Sequence, residues 1–339
     1  MNIKDIANLA GVGVSTVSRV LNNHTDVKQE TRERVLEIIR ANNYIPNNSA
    51  RILKQSNTKN IGILVKGVFN PFFSEILKSI NVEIQQAGYT VILQHYESEV
   101  SDVGTLLGFI KEKRLQGLIC LGGNFLDLTD SDLVEVKIPV ILISAGLGNT
   151  DHKDLTRCSS ISIEDSKAAF MGTDYLIKCG HKNIALVLGG KKDYGISRER
   201  YIGYSSALEA NGIEINEDYI IYGSYECEMT YEKTKELLSH YPEVTAIFAI
   251  SDIMATGAAK ASFNMNRKIG QDISIIGFDG MDVAKFYEPS ITTIKQPKKE
   301  MSKQSIKLLF ELLEGKTTNK HIRLDVQLVE GESVVIKKG

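Results

Sequence analysis

"GVGVSTVSRVLN", residues 11–22, is the stretch on which the reading of the chain turns. Val17, Val20 and Leu21 recur at i, i+3 and i+4, so one stripe faces inward as on a short helix. Ser15, Ser18, Arg19 and Asn22 recur on another side. Surface helices usually carry several glutamates and lysines; this side carries hydroxyls, an amide and one arginine. Small side chains let another surface come close. Hydroxyls and amides bond phosphate oxygens or base edges, and arginine bonds guanine through two hydrogen bonds.

Two further helical patterns flank this one. Ile3, Ile6, Ala7 and Ala10 line one face upstream, and Val35, Leu36, Ile38 and Ile39 do so within "TRERVLEIIRANNY". Ala7 and Gly11 fall where the first two helices must pass closely through a tight turn. A helix, a glycine turn and a second helix with a small polar face make a helix-turn-helix, whose second helix enters the major groove. A plain three-helix bundle satisfies the same periodicity. Charge adds weight to the first reading: residues 1–59 hold nine basic against five acidic residues, a net +4, while the whole chain is −2 and the remainder therefore −6. A basic head on an acidic body suits a polyanion.

The 339 residues, 42% hydrophobic and 24% charged, suffice for two or three domains with sizeable cores. "MNIKDIANLAGVG" lacks an apolar stretch of signal-peptide length, so a cytoplasmic location is expected. No apolar run of membrane-spanning length occurs, so no membrane partner is expected. Cys120, Cys158, Cys179 and Cys227 are widely spaced, without metal-ligand or redox spacing, and read as free thiols. No catalytic motif is present, and neither a metal nor a cofactor is expected.

From Ile61 the texture changes. "IGILVKG", "TVILQHY", "GLICLGG", "PVILIS", "IALVLGG", "YIIYGSY", "AIFAIS", "ISIIGFD" and "ITTIKQP" are apolar runs separated by stretches of helical length. Continuous apolar strands alternating with helices mean parallel sheets covered on both faces. The polar stretch 144–160 interrupts the alternation, which favours two doubly wound lobes. In such lobes ligands bind where strand ends converge. Phe72 and Phe73, Tyr225, Arg200, Asp252 and Asp279 follow strand ends or open helices there. An arginine and an aspartate can each hold two adjacent hydroxyls, as on a sugar or a nucleoside. Core packing accounts equally for the phenylalanines, a salt bridge or helix cap for Arg200 and Asp279, and an N-cap for Asp252.

"IKDIANLAGVGVSTVSRVLN", "TRERVLEIIRANNYIPN" and "ARILK" closely resemble the DNA-binding head of the LacI/GalR family of bacterial repressors. The likeness continues in family order through "NPFFSEIL", "LIKCGHKNIALVLGG", "RYIGYSSALEANGI", "SDIMATGA", "DISIIGFDG" and "TTIKQP". It implies an α/β chain: an all-α helix-turn-helix head and a two-lobed, periplasmic-binding-protein-like (type I) body with doubly wound parallel sheets. The expected divisions are a head over 1–45 and a hinge helix and linker over 46–60. The first lobe takes 61–160 and 292–322, the second 161–291 and 323–339.

The resemblance places Val14 and Ser15 at base-reading positions and Arg19 against a guanine, with Thr16, Ser18 and Asn22 nearer the backbone. It places Leu53 as a wedge in the minor groove, Ala50 at a helix–helix contact and Arg51 and Lys54 near phosphates. A helix this short does not persist alone in water, so it orders when two copies meet on DNA. It further implies effector contacts from Arg200 and Asp279, pocket lining by Phe72, Phe73, Tyr225 and Ser251, and effector choice by Ile196 and Arg198. Three positions depart from the family pattern: Gly13 and Lys28, each where a serine is common, and Ser144 where relatives carry an acid. The loss of that acid, with Lys191, Lys192 and Arg198 nearby, leans toward an anionic effector such as a sugar phosphate.

The function so implied is that of a homodimeric transcriptional repressor of carbohydrate-utilisation genes. It reads a pseudo-palindromic double-stranded operator and answers to a small-molecule sugar or sugar phosphate. A carbon-catabolite regulator using a phosphorylated carrier protein as co-repressor is the alternative. A transport solute-binding protein would need a secretory signal and no head.

Overall fold

The computed structural model describes residues 2–21, 24, 26–42, 59–67, 71–97, 102–147 and 155–337. The chain forms two compact units, Met1–Thr58 and Lys59–Gly339. Asn22, Ala50, Arg51, Leu53 and Lys54, and with them the hinge-helix expectation, lie outside the described residues.

The first unit contains α1 (Ile3–Ala10), α2 (Val14–Leu21) and α3 (Gln29–Ala41). Ile6, Ala7, Ala10, Val17, Val20 and Val35 bury the stripes that periodicity marked. Asn2 caps α1: its side chain accepts from Lys4 N (2.9 Å) and Asp5 N (3.2 Å), while the Asp5 carboxylate accepts from Asn2 N (2.7 Å). Gly11 ends the helix at φ 62°, and a side chain there would meet nothing within 4 Å. The glycine is therefore required by backbone conformation and not, as its place in the tight turn suggested, by close packing. Lys28 occupies the cap position of α3 without a side-chain capping bond.

The second unit carries two six-stranded sheets. In the first, β1 (Asn60–Lys66), β2 (Thr90–Tyr96), β3 (Gly117–Leu121), β4 (Val140–Ile143), β5 (Ser159–Ile163) and β11 (His321–Leu324) lie in the order β11-β5-β4-β3-β1-β2, all parallel. The second contains β6 (Ile184–Leu188), β7 (Ile220–Tyr222), β8 (Ala246–Ala249), β9 (Ser274–Asp279), β10 (Thr292–Lys295) and β12 (Gln327–Val329), in the order β12-β10-β9-β8-β6-β7. Only the β10–β12 pairing is antiparallel. Strand alternation serves both faces: Ile61, Ile63 and Val65 of β1 join one core with α4 (Pro71–Gln86), while Leu64 joins another with α5 (Asp102–Glu112).

All nine apolar runs form strands; β5, β11 and β12 add three more among the described residues. β5 reads "SSISI" because Ser159 and Ser160, both buried, spend their hydroxyls on Asn319 Oδ1 (2.9 Å) and His321 Nδ1 (2.8 Å) of the β11 segment. These strands also correct the lobe boundaries. The first crossing between sheets comes after β5, at Glu164, not at 160. The second comes after β10, because Thr292 to Lys295 pair with β9 and so belong to the second sheet, not the first. The third lies between Leu324 and Gln327.

α6 (Asp165–Lys178), α7 (Ile196–Ala210), α8 (Cys227–His240) and α9 (Asp252–Asn264) complete the second lobe with the short α10 (Asp282–Lys285); α11 (Lys298–Leu313) returns to pack on α4. Ser251, not Asp252, caps α9, accepting from Ile253 N at 3.2 Å. Asp252, fully buried, accepts from Thr293 Oγ1 (2.6 Å) and Met281 N (2.6 Å), tying α9 to β10 and to the turn after β9. Burial, reinforced by Asp279, pushes its carboxyl up to about 8 from an ordinary 3.8. The folded chain thus holds a proton that the unfolded chain releases, and the stability this contributes is full below pH ~4 and is lost as pH rises toward ~8. Accordingly, the margin in melting temperature of wild type over Asp252→Asn should shrink as pH is raised from 5 to 8.5. A margin independent of pH across that range would contradict the account.

Candidate functional site

α2 exposes Val14, Ser15 and Arg19, half-exposes Thr16 and Ser18, and buries Val17 and Val20. The five described residues marked as DNA-facing therefore share the solvent side of one helix. Its first turn opens on Gly13, whose carbonyl accepts from Thr16 N (2.9 Å) and Val17 N (3.2 Å). Arg19 supplies the helix's basic charge in its last turn, where it also complements the helix dipole.

In the second unit, residues past the carboxyl ends of strands in both sheets come together, Gly146 beyond β4 meeting Gly195 beyond β6. Arg200, 3% exposed, projects from α7 and is held through each of its three nitrogens and one face. Its Nε and Nη2 donate to Asp165 Oδ1 (2.9 and 2.8 Å), its Nη1 donates to the Ile250 carbonyl (2.6 Å), and its plane stacks on Phe278 at 3.6 Å. Asp279 ends β9 at φ 109° and accepts from Gln296 Nε2 at 2.8 Å. Burial raises its carboxyl to about 6, against the pull of the nearby Arg200. The Gln296 carbonyl oxygen is buried with no partner among the described residues. The sequence marked Arg200 and Asp279; it missed Asp165 and Gln296.

Tyr225, at φ 58°, donates to Asp193 Oδ2 (2.9 Å) and lies 3.3 Å from Ser197 Oγ, which itself donates to Asp193 (2.6 Å). Burial beside Asp193 drives the phenol well above its usual range. Asp193 and Ser197 carried no sequence signal beyond their place after "IALVLGG". Phe72 and Phe73 pack edge-to-face at 5.1 Å inside the core, 2% and 8% exposed. Both belong to the buried core that includes β1 and α4.

The lobes touch at the Gly146–Gly195 pair and at a lysine. A side chain on Gly146 would come within 2.7 Å of Gly195 Cα, at the start of α7, so glycines permit the contact. Elsewhere, Lys298 Nζ, on a residue 8% exposed, donates to Glu75 Oε1 of α4 (2.9 Å) and to the Gly280 carbonyl after β9 (3.2 Å). A charged run, "KQPKKE", concealed this lysine among solvated neighbours. Ile196 borders a cavity of about 80 Å³ with Gly146, Asp165, Glu199 and Arg323. Arg198, Lys191 and Lys192 are exposed, and Lys191 lies 5.6 Å from the Tyr222 ring centre. Ser144, 5% exposed, takes φ 50° at the end of β4. No group of potential metal ligands occurs among the described residues, and no helix among them is long and apolar enough to cross a membrane.

Comparison with known proteins agrees with both halves of this description. Residues 2–47 match bacterial regulatory proteins of the lacI family, and residues 173–334 match a periplasmic binding protein-like domain. The HTH-type transcriptional regulator MalR of Clostridium butyricum is 53% identical over 334 residues, covering 98% of this chain and 99% of that one. The HTH-type transcriptional repressor PurR of Photobacterium profundum is 33% identical over 338 residues and 98% of each chain. Among solved structures, the regulator CelR in complex with cellobiose matches with a TM-score of 0.70 at 28% identity, over 98% of this chain and 99% of that one. The lac repressor dimer bound to operator and the anti-inducer ONPF matches with a TM-score of 0.71 at 26% identity, over 99% of each. With a relative this similar along nearly its whole length, the chain belongs to the lacI family of bacterial regulatory proteins.

Proposed function

We propose that this regulator is a homodimeric repressor that reads a pseudo-palindromic operator with the exposed face of α2 and responds to a sugar held between the lobes of its second unit. The observation that carries the reading is the pairing of two unlike surfaces in one chain: a helix face of small polar residues with one arginine, and a cleft of buried, mutually satisfied charges. Kinship with MalR, and likeness to a cellobiose complex and to an operator-bound dimer, support it. It acts in the cytoplasm, as a regulator and not as an enzyme.

In this reading Val14, Ser15 and Arg19 meet base edges, and Thr16 and Ser18 meet the backbone. Arg200 and Asp279 take adjacent hydroxyls, with Gln296 offering its unpaired carbonyl oxygen. Tyr225, Ser251, Ile196 and Arg198 bound the pocket. Because Arg200 and Lys298 already hold the carboxylates of Asp165 and Glu75, the interior suits the neutral part of a sugar. A phosphate, where present, belongs toward the exposed Lys191, Lys192 and Arg198.

Selection of full-length protein on duplexes randomised across an inverted repeat, followed by a thermal-shift screen of sugars and sugar phosphates, tests both halves. Enrichment of a two-fold site and a rise in melting temperature with at least one sugar are expected; failure of every duplex to compete with scrambled DNA removes the reading. On the enriched site, Arg19→Ala should weaken binding by roughly 1–3 kcal/mol and relax one base pair per half-site, as judged by fluorescence anisotropy. Binding of the identified sugar should weaken at pH 5 relative to pH 7.5, because Asp279 takes up a proton near pH 6 and ceases to accept two hydroxyls. Asp279→Asn should abolish that pH dependence in calorimetry, and a pH-independent wild type would rule Asp279 out as the acceptor.

A further inference from the structure

Arg19 has a partner that the reading above leaves unused. Its Nη1 lies 3.4 Å from Asp26 Oδ2, with both side chains more than half exposed. The connection that carries Asp26 is itself tied to the end of α2. His24 N donates to the Arg19 carbonyl at 3.0 Å, and the Arg32 guanidinium of α3 donates to the His24 carbonyl. Between Asp5 in α1 and Glu30 in α3, Asp26 is the only acidic residue in the sequence.

An acid at this position calls for a reason. A carboxylate beside a surface that meets phosphates repels them, and an exposed ion pair at this distance contributes little to folding. Neither stability nor backbone binding accounts for it. Arginine chemistry does. The guanidinium is a rigid plane with five donors. Engaging one nitrogen on Asp26 leaves another edge free for the two acceptors of a guanine, O6 and N7. It also restrains a long side chain that would otherwise sample many rotamers, so less freedom is lost on binding.

We propose that Asp26 is a positioning residue that sets the plane and reach of the Arg19 guanidinium, so that base preference depends on the pair and not on Arg19 alone. The inference rests on the reading of the first unit as a DNA-binding head. It separates two quantities that a merely structural residue would move together. Loss of the carboxylate frees the guanidinium and reduces discrimination, yet it also removes a repulsive charge and so leaves binding to arbitrary duplex equal or stronger.

The test uses full-length wild type, Asp26→Asn, Asp26→Glu, Arg19→Ala and the double variant Arg19→Ala/Asp26→Asn. Each is selected on a duplex library randomised across an inverted repeat at fixed salt, then titrated on the wild-type site and its single-base variants. Asp26→Asn is expected to lower the preference at one base pair per half-site at least fivefold while affinity for scrambled duplex stays level or rises. Asp26→Glu, which keeps a carboxylate, is expected to recover at least half of that preference. In the Arg19→Ala background, Asp26→Asn should change base preference no further. Unchanged base preferences in Asp26→Asn overturn the inference, as does a change of equal size without Arg19. A parallel loss on every duplex with a lowered melting temperature overturns it too, since that marks a structural role. A wild type that enriches no inverted repeat removes the DNA-binding reading itself, and this inference with it; an enriching wild type with an identical Asp26→Asn profile removes only the inference.

Discussion

A guanidinium buried to the extent of Arg200 is tolerable only where other groups replace its water, and the second unit is arranged around meeting that demand. Asp165 supplies the charge, the Ile250 carbonyl a further acceptor, and Phe278 a flat face on which the ion stacks. Each comes from a different element of the fold. Asp165 is the first helical residue after the chain leaves the first sheet, Ile250 follows β8, and Phe278 lies in β9. One ion therefore fixes the first crossing between sheets, a strand end in the centre of the second sheet, and the approach to Asp279.

The second crossing is held by the neighbour of that ion. Gln296 donates to Asp279, and two residues later Lys298 holds the Gly280 carbonyl on one lobe and Glu75 on the other. Asp279 and Gly280 thus stand between the two crossings, bonded to one and electrostatically coupled to the other. In the proposed reading, a ligand on Asp279 meets a carboxylate of which Gln296 already holds one oxygen, beside the Gly280 carbonyl that Lys298 grips. Lobe geometry is tied to the proposed ligand position by a few short polar contacts. Such coupling typically amounts to 1–3 kcal/mol, which is within reach of gaining or losing about two of these bonds.

How much of this was legible in the sequence follows from which signal each part emits. The strands buried on both faces are apolar throughout, and all nine were readable. β5 was not, because its serines are buried by spending their hydroxyls on the distant Asn319 and His321, a pairing that leaves no local trace. Missing β5 hid Asp165, the residue that makes sense of Arg200. The end of β10 deceived in a similar way: "ITTIKQP" reads correctly as a strand, but its sheet depends on pairing with β9 and β12 and not on its own residues. On α2 helical periodicity placed Ser15, Ser18 and Arg19 on the outer side, whereas Val14 and Thr16 were marked only by the family resemblance. Periodicity did not reveal the partner of Arg19, since Asp26 lies beyond the helix and meets the arginine only through the turn of the connection.

The two units also use charge under opposite conditions. Among the described residues of the head most charged groups are exposed, so they are screened over roughly 8–10 Å at physiological salt and act mainly by summation over many contacts. That regime delivers affinity for any duplex readily and discrimination poorly, and discrimination must come from groups held in fixed directions. In the cleft of the body the charges of Asp165, Arg200 and Asp279 are largely buried and lie close together, so each acts at close range and with little screening. That regime delivers discrimination between hydroxyl arrangements, and it leaves overall charge with little influence. A chain formally near neutrality can hold both regimes, because its −2 is the sum of +4 over residues 1–59 and −6 over the remainder, and neither total records which charges are buried. The net charge, taken alone, conceals the division on which the protein's two recognitions rest.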